Sequence, residues 1–320
     1  MAIRSNFAHA LLMGVFLALA LPVFAQEGLK GTQPVEALEI PTVQVSTLFD
    51  VKDFVPGQMA HLVVLLDVPK DRHIFWANPG SSGKRTAVTV TGPEGWKVLA
   101  PRFPGPVLHK SKAGEVTYIL KDKVAFFVPI LPPDNAKVGQ QVEFDLQAEW
   151  QIAKQDRKSE SVPFQSVRMK IRANVAGGLP VRNSDRTIAA MRSSLPRRGA
   201  GPTGVGISLS GDAKEGDLTF HSLDAREFEF FAYPDSPMVV EARNSESKSA
   251  SRSMHNFHLK SAQGKTPKEI AVNGVLRVKT RERVFYYEVQ YKGVLTIAPP
   301  EIQPGHGSLP ELPKKTPDKR

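Results

Sequence analysis

The sequence has no cysteine among its 320 residues. A chain without thiols makes no disulfide, builds no thiolate zinc site or iron–sulfur site, and offers no thiolate nucleophile. It also lacks the Gly-x-Ser-x-Gly, P-loop and His-Glu-x-x-His motifs of several enzyme classes. No apolar run after the first 25 residues reaches the ~20 residues that a membrane span needs. These absences exclude thiol chemistry by this chain and give no support to an enzyme of those classes.

The first 25 residues have the pattern of a cleaved secretory signal peptide. Arg4 supplies a positive start, residues 10–21 are apolar, and Ala25 precedes the expected cut. The apolar run is too short to anchor the chain in a membrane, and no cysteine follows it to carry a lipid. We therefore expect a periplasmic or secreted protein with no membrane span after cleavage.

The remaining composition is basic, with 42 Lys and Arg against 32 Asp and Glu and a formal net charge of +10. Such a charge suits either attraction to an anionic partner or simply a basic exported protein. No nucleic-acid recognition motif is present, so we expect no nucleic-acid partner. Nothing in the sequence calls for a cofactor, and the oligomeric state stays open.

Strand-like runs recur every ~8–12 residues with turn signals between them, a pattern typical of β-sandwiches. We predict an all-β chain of two consecutive immunoglobulin-like β-sandwich domains, with one short helix over 187–195 near the linker between them. We also predict a hairpin that joins runs 116–120 and 124–130. The expected segments are a signal peptide 1–25, a flexible lead-in 26–44, a first sandwich 45–176, a linker 177–186, a second β-rich domain 187–298, and a disordered Pro- and Lys-rich tail 299–320.

Residues 73–83 read His-Ile-Phe-Trp-Ala-Asn-Pro-Gly-Ser-Ser-Gly and stand out along the first sandwich. Bulky apolar side chains stop at Asn78, where proline and glycine favour a tight turn out of a buried segment. Trp76 is large enough to be a core residue between neighbouring strands. We refer to this stretch as the anchor motif.

The anchor motif, the Pro-Glu-Gly-Trp of residues 93–96 and the aromatic strand ending at Trp150 together resemble the N-terminal periplasmic domain of the thiol:disulfide interchange protein DsbD, in particular its ScsB-like branch. The resemblance covers about residues 45–172, with a looser likeness over 180–297. It implies an immunoglobulin-like fold, and it marks six residues as structural members of the family motif: His73, Trp76, Asn78, Pro79, Gly80 and Gly83.

That family reduces exported proteins through two cysteines placed just after the strand equivalent to 142–150. Here Trp150 is followed by a charged stretch in which Ala153 stands about where the first cysteine belongs, and the second has no counterpart. Thiol–disulfide exchange needs a thiolate. The resemblance therefore implies a cysteine-free variant, and we expect a non-catalytic docking module for another envelope protein. Arg157 in the degenerate loop is the expected anchor, with further candidates at Arg192, Arg197 and Arg198.

Two other functions remain open on the sequence. His255 and His258, beside Met254, raise the possibility of envelope copper handling or a stress protein, but residues three apart on a strand point to opposite faces, so we expect surface histidines and no metal site. A carbohydrate-binding sandwich would stack sugars on Trp76, Trp96 and Trp150, although large aromatic residues in a sandwich usually belong to its core.

Overall fold

The computed structural model describes residues 42–111, 114–154, 164–198, 204–212, 214–249, 252–262, 271–292 and 294–297. The expected signal peptide, most of the lead-in, Arg157 and the tail from 299 lie outside these residues. Within them, no helix has the length and apolar character to cross a membrane.

The described residues form one helix and a series of antiparallel strands. In chain order these are β1 (Gln44–Phe49), β2 (Ala60–Asp67), β3 (Arg72–Gly80), β4 (Ala87–Thr91), β5 (Lys97–Val98), β6 (Val107–Lys110), β7 (Val116–Leu120), β8 (Lys123–Leu131), β9 (Gln141–Lys154), β10 (Phe164–Asn174), α1 (Arg186–Arg192), β11 (Val205–Gly211), β12 (Glu215–Ser222), β13 (Glu227–Ala232), β14 (Met238–Ser249), β15 (Arg252–Ser261), β16 (Ala271–Lys279), β17 (Val284–Lys292) and β18 (Val294–Ile297).

The first sandwich packs a four-stranded sheet, in the order β1-β2-β8-β5, against a six-stranded sheet, in which β10-β9-β3-β7-β6 are neighbours and β4 also pairs with β9. Strand β2 is apolar on both faces because each face is covered, as its nearly continuous apolar run predicts. Leu62 and Val64 enter the central core with Phe144, whereas Val63 packs on the opposite face.

The second sandwich pairs the sheet β11-β12-β15-β14 with the sheet β13-β16-β17-β18. Phe220, Phe228, Phe230 and Leu276 meet in its core. The predicted all-β architecture, two immunoglobulin-like sandwiches and one short helix, is confirmed.

The hairpin predicted from runs 116–120 and 124–130 is wrong. Strand β7 pairs with β3 and β6, whereas β8 pairs with β2 and β5 in the opposite sheet. The short link crosses between the sheets, and Asp122 takes a left-handed backbone conformation with φ of 58°. Aspartate tolerates that conformation better than most residues. Both strands are apolar enough to pair with each other, so only the packing of the whole sandwich decides their partners.

The turn predicted at residues 78–80 begins slightly later than expected. Strand β3 runs through Asn78 and Pro79 to Gly80, where φ reaches 82°. Proline is tolerated because the pairing of β3 with β7 is interrupted between Phe75 and Gly80, so no ladder bond is demanded there. A side-chain carbon at Gly80 would lie 2.6 Å from the Val116 carbonyl oxygen, so the close approach of β7 also requires glycine.

Helix α1 packs on the outer face of the four-stranded sheet. It begins at Arg186, and the Asp185 carboxylate accepts a hydrogen bond of 2.7 Å from the Thr187 backbone N–H. Ile188 and the following Leu195 are buried against Val63 and other residues of that face. The helix, which the sequence assigned to the second domain, thus completes the first sandwich; the predicted domain boundaries themselves stay a prediction.

Candidate functional site

Ala153, where the resemblance to DsbD places the first cysteine, lies on the six-stranded sheet beside the anchor motif. Ala153 on β9 is the direct antiparallel partner of His73 on β3. Directly opposed residues share a face of the sheet, so the alanine methyl group and the imidazole lie side by side. Trp150, earlier on β9, is buried and donates from Nε1 to Gln165 Oε1 over 2.9 Å. Arg157 lies outside the described residues.

His73 sits in an apolar and electropositive environment. It is 3% exposed, its ring centre lies 5.3 Å from that of His109 and 5.4 Å from that of Phe75, and its Nδ1 has no hydrogen-bond partner among the residues that the structure describes. Burial first, and then the charges of His109 and Lys121, lower the pKa of His73 to about 4. The ring is therefore neutral at pH 7, and the lowered pKa makes it a poor base at that pH.

An exposed aromatic side chain lies at the same end of the sheet. Phe164 opens β10 opposite Gln151 and is 43% exposed. The Lys84 ammonium lies 5.3 Å from the centre of its ring, and the Lys84 backbone N–H donates to Gln151 Oε1 over 2.7 Å. We call Lys84, Gln151, Lys154 and Phe164 the Phe164 surface. Sequence reasoning missed it, although an aromatic residue directly after a polar loop was a usable signal.

The anchor motif joins the two sandwiches. Trp76 is fully buried, donates from Nε1 to the Pro104 carbonyl over 3.0 Å, and stacks on Tyr233 of the second sandwich at 5.4 Å between ring centres. Asn78 donates from Nδ2 to the Ala232 carbonyl over 2.8 Å. Gly83, with φ of 93°, leaves room for the Phe75 ring. These residues therefore hold the scaffold together.

The part of the second sandwich that packs against the first carries both aromatic and charged side chains. Phe231 packs edge-to-face on Tyr118 of β7 and belongs to the core of the first sandwich. Beside it, Arg277 donates to Glu229 over 2.7 Å, and both side chains are nearly buried. Glu229 and Arg277 are directly opposed on the neighbouring strands β13 and β16, so this ion pair joins two strands of one sheet. Breaking either partner would leave a buried charge.

The arginines proposed as partner anchors make contacts within the chain. Arg192 donates to Asp50 over 2.7 Å and lies 5.0 Å from the centre of the Phe127 ring. Arg197 lies over Phe285 at 4.7 Å, and Arg198 holds Glu288 with two bonds of 2.5 and 3.0 Å. Arg192 thus holds α1 to the first sandwich, and Arg197 and Arg198 hold the segment after α1 to β17. A role of these arginines in partner binding stays a prediction.

The histidine pair of β15 is divided between the two faces, as the spacing predicts. His255 is fully buried with its ring 5.2 Å from that of Phe228, so the expectation of a surface position is wrong for it. His258 is half-buried and its Nδ1 lies 3.1 Å from Asp217. The expectation failed because the inward positions of a sandwich strand accept any residue whose ring can pack on the core. The described residues contain no group of three or more metal-ligating side chains.

The three tryptophans belong to the core of the first sandwich, as expected for large aromatic residues. Trp76 and Trp150 are buried, and the partly buried Trp96 packs edge-to-face on Phe54 and Phe144 at 5.1 and 5.4 Å. They do not form an exposed stacking platform.

A second group of polar side chains lies under α1. The buried carboxylate of Asp50 accepts at Oδ1 from the His61 backbone N–H over 2.7 Å, and its Oδ2 lies 3.0 Å from His61 Nδ1. The same Oδ2 accepts from Arg182 over 3.1 Å and from Arg192 over 2.7 Å. Burial acts to raise the pKa of Asp50, but the hydrogen bonds and the charge of His61, followed by the charge of Arg192, outweigh it and lower that pKa below its usual value.

Comparison with known proteins supports the fold. No family model matches the chain, and no curated protein matches it. The chain is similar to the N-terminal periplasmic domain of ScsB from Proteus mirabilis, a crystal structure, with a TM-score of 0.52 and 9% sequence identity over 78% of this chain and 92% of that one. At this identity the likeness establishes a shared fold across both sandwiches.

Proposed function

We propose that this chain is an exported, non-catalytic binding module that docks another envelope protein through the Phe164 surface. The observation that carries the proposal is the exposed Phe164, opposite Gln151 and thus two residues along β9 from Ala153, the position where the DsbD-like resemblance places a reactive cysteine. The fold shared with the periplasmic domain of ScsB supports a periplasmic location for this chain and a common origin of the two scaffolds.

The non-catalytic part of the proposal rests on chemistry at Ala153. Thiol–disulfide exchange begins with attack by a thiolate, and this position offers a methyl group. Its neighbour His73 is neutral and buried, so it supplies neither a charge nor an accessible base. The purified protein is expected to leave the disulfides of insulin intact, at the rate of a protein-free control, even with a reduced thioredoxin-like donor. Donor-dependent reduction above that control would contradict this part.

The chemistry of the Phe164 surface specifies the kind of partner. Partly exposed aromatic residues are typical binding hot spots because they bury a large apolar area with little loss of entropy. Lys84 lies over the ring and Lys154 ends the neighbouring strand, so the rim is positive. A partner with an apolar pocket and an acidic rim fits this arrangement. Arg157, as predicted from the sequence, would add a fork that holds a carboxylate.

The test is photocrosslinking in cells. A benzophenone-bearing phenylalanine analogue replaces Phe164 in one variant and Leu179, an 88% exposed residue of the linker, in a control variant. We expect one discrete crosslinked envelope protein at position 164 and none at 179, with loss of the crosslink when Lys84 is also changed to Glu. Identical crosslinks at both positions, or none at 164, would contradict docking through this surface.

A further inference from the structure

The longest edge strand of the first sandwich is β10, which pairs with β9 along one side. Hydrogen bonds at its end show which backbone groups point away from β9. The Asn174 carbonyl accepts from the Phe54 backbone N–H over 2.9 Å, whereas the Val175 N–H donates to Gln140, directly before β9. Because the direction of the backbone groups alternates along a strand, every second residue before Asn174 also points outward. The outward-pointing backbone groups are those of Ser166, Arg168, Lys170 and Arg172.

The outward backbone groups of β10 form an open edge. In the part of the chain that the structure describes, these four residues make no backbone hydrogen bond on that side. A row of unpaired N–H and C=O groups is a template for another strand. The end of the same edge already pairs in this way, because Phe54 forms a parallel bridge with Val175. The edge is therefore accessible to a further extended segment.

Most of the devices that protect an edge strand from such pairing are missing from β10. Its pairing with β9 is regular over all 11 residues, without a bulge, and the strand contains no proline. The residues that face the core are apolar rather than charged, and they are only half-buried: Val167, Met169, Ile171 and Ala173. An added strand with apolar residues at alternate positions would complete the cover of these side chains.

The opposite face of β10 favours a particular charge on that strand. Arg168, Lys170 and Arg172 are exposed at every second position. Lys170 and Arg172 contact Glu143 on β9. Arg168 lies opposite Gln147 and makes no ion pair with the described residues. Opposite charges on neighbouring strands stabilise their pairing, and like charges oppose it. An acidic strand is therefore favoured, whereas a second copy that paired antiparallel with β10 would place basic residues against basic residues.

We propose that β10 binds an extended segment of a partner protein as an additional strand, and that this segment alternates apolar and acidic residues. The outward backbone groups hold its main chain, its apolar side chains cover the half-buried residues of β10, and its acidic side chains face the three basic ones. In recognition by strand addition, the main chain supplies affinity and alternate side chains supply specificity. The proposal does not rest on docking through the Phe164 surface, which lies at the start of the same strand.

Three labelled peptides of equal length test the alternation and the charge. The first is Gly-Val-Glu-Val-Glu-Val-Glu-Val-Gly, whose glutamates match the spacing of the basic residues on β10. The second has lysine in place of glutamate, and the third has the composition of the first in the order Gly-Val-Val-Glu-Glu-Glu-Val-Val-Gly. In fluorescence anisotropy with the full chain, we expect the first peptide to bind at least ~10-fold more tightly than either of the others. No saturable binding of the first peptide, or equal affinities for the first and third, would overturn the proposal.

A pair of variants locates the binding. Arg168→Glu reverses an exposed charge that has no ion-pair partner among the described residues, so the fold is retained, and we expect about tenfold weaker binding of the first peptide. Arg281→Glu, which makes the same charge change in the exposed turn before β17, is the control and should bind as the wild type does. Equal losses in both variants would show attraction to the net charge alone and refute the site.

Hydrogen exchange followed by NMR distinguishes strand addition from a contact between charges. In the free protein, the four outward amides should exchange faster than the intervening amides, which bond to β9. Saturation with the first peptide should slow the outward amides by at least ~10-fold. Binding without this protection would refute strand addition. Protection in the free protein that rises with protein concentration would assign the edge to a second copy of the chain, and this would also contradict the proposal.

Discussion

Two buried histidines of the first sandwich, His61 and His73, have opposite electrostatic surroundings. Both are less than 5% exposed, and each has one ring nitrogen without a hydrogen-bond partner in the described residues. His61 lies beside the Asp50 carboxylate at 3.0 Å. His73 instead packs against His109. Burial, followed by the charges of His109 and Lys121, lowers the pKa of His73 to about 4.

The difference shows two ways of burying a polar ring. Around His61, charges converge on one carboxylate and tie the segment of α1 to the sheet. Around His73, the ring stays neutral and the surroundings are held by apolar packing, which Trp76 extends into the second sandwich. The first region is thus held by buried charge, whereas the second is held by apolar packing that joins the two sandwiches.

The largest expected effect tests the apolar region. Trp76→Ala removes a fully buried side chain, its bond to the Pro104 carbonyl and its stacking on Tyr233. We expect the free energy of unfolding to fall by about 4 kcal/mol, as for other core tryptophans. Urea unfolding measures the change. Phe164→Ala, which truncates a 43% exposed ring, is the control and should stay within about 1 kcal/mol of wild type. Similar losses in both variants would show that Trp76 is not the core contact described.

The charged region is tested by Asp50→Asn. The amide keeps the size of the side chain but leaves His61, Arg182 and Arg192 without their shared negative charge. Because Asp50 is buried whereas the two arginines are about half exposed, we expect a loss of about 3 kcal/mol, the lower end for a broken buried pair. Asp145→Asn, on an exposed carboxylate 3.8 Å from Lys170, is the control and should cost less than about 1 kcal/mol. A loss no larger than the control's would mean that the convergence on Asp50 adds nothing to stability.

Much of the apolar region could be predicted from the sequence, and little of the charged one. The anchor motif and the core role of Trp76 follow from the local sequence pattern, because bulky apolar residues that stop at Asn-Pro-Gly indicate a buried segment ending in a turn. The partners of Asp50 lie 11, 132 and 142 residues away along the chain. No local sequence pattern marks contacts between residues so far apart. Strand pairing likewise depends on distant parts of the chain, and for this reason the predicted pairing of β7 with β8 was wrong.

The pH dependence of stability should reveal the lowered pKa of His73. The unfolded chain protonates a histidine near pH 6.5, but folded His73 resists protonation until about pH 4. Between these values the unfolded state binds the extra proton, so stability falls as the pH is lowered through this window and levels off below it. The lowered pKa of His73 corresponds to a loss of at most about 3 kcal/mol in the free energy of unfolding across this window. The lowered pKa of Asp50 acts at still lower pH, below its ordinary value of 3.8.

Urea unfolding at pH 7.5, 6, 5 and 4 measures this profile, and His73→Leu provides the comparison. The variant buries an apolar side chain with no proton to bind, so its stability should change less across the window than that of the wild type. Parallel profiles for the two proteins would show that His73 titrates normally in the folded state.

The smallest expected effect concerns a third histidine, which has carboxylates nearby but is not enclosed. His258 lies 3.1 Å from Asp217 and 3.9 Å from Glu241, and all three side chains are accessible to solvent, with exposed fractions of 24%, 42% and 47%. Water screens such pairs, so the contact contributes less than about 1 kcal/mol. His258→Gln should therefore unfold within about 0.5 kcal/mol of wild type at pH 7.5. If it costs as much as Asp50→Asn, then proximity to a carboxylate, rather than enclosure of the pair, sets the contribution of a histidine in this protein.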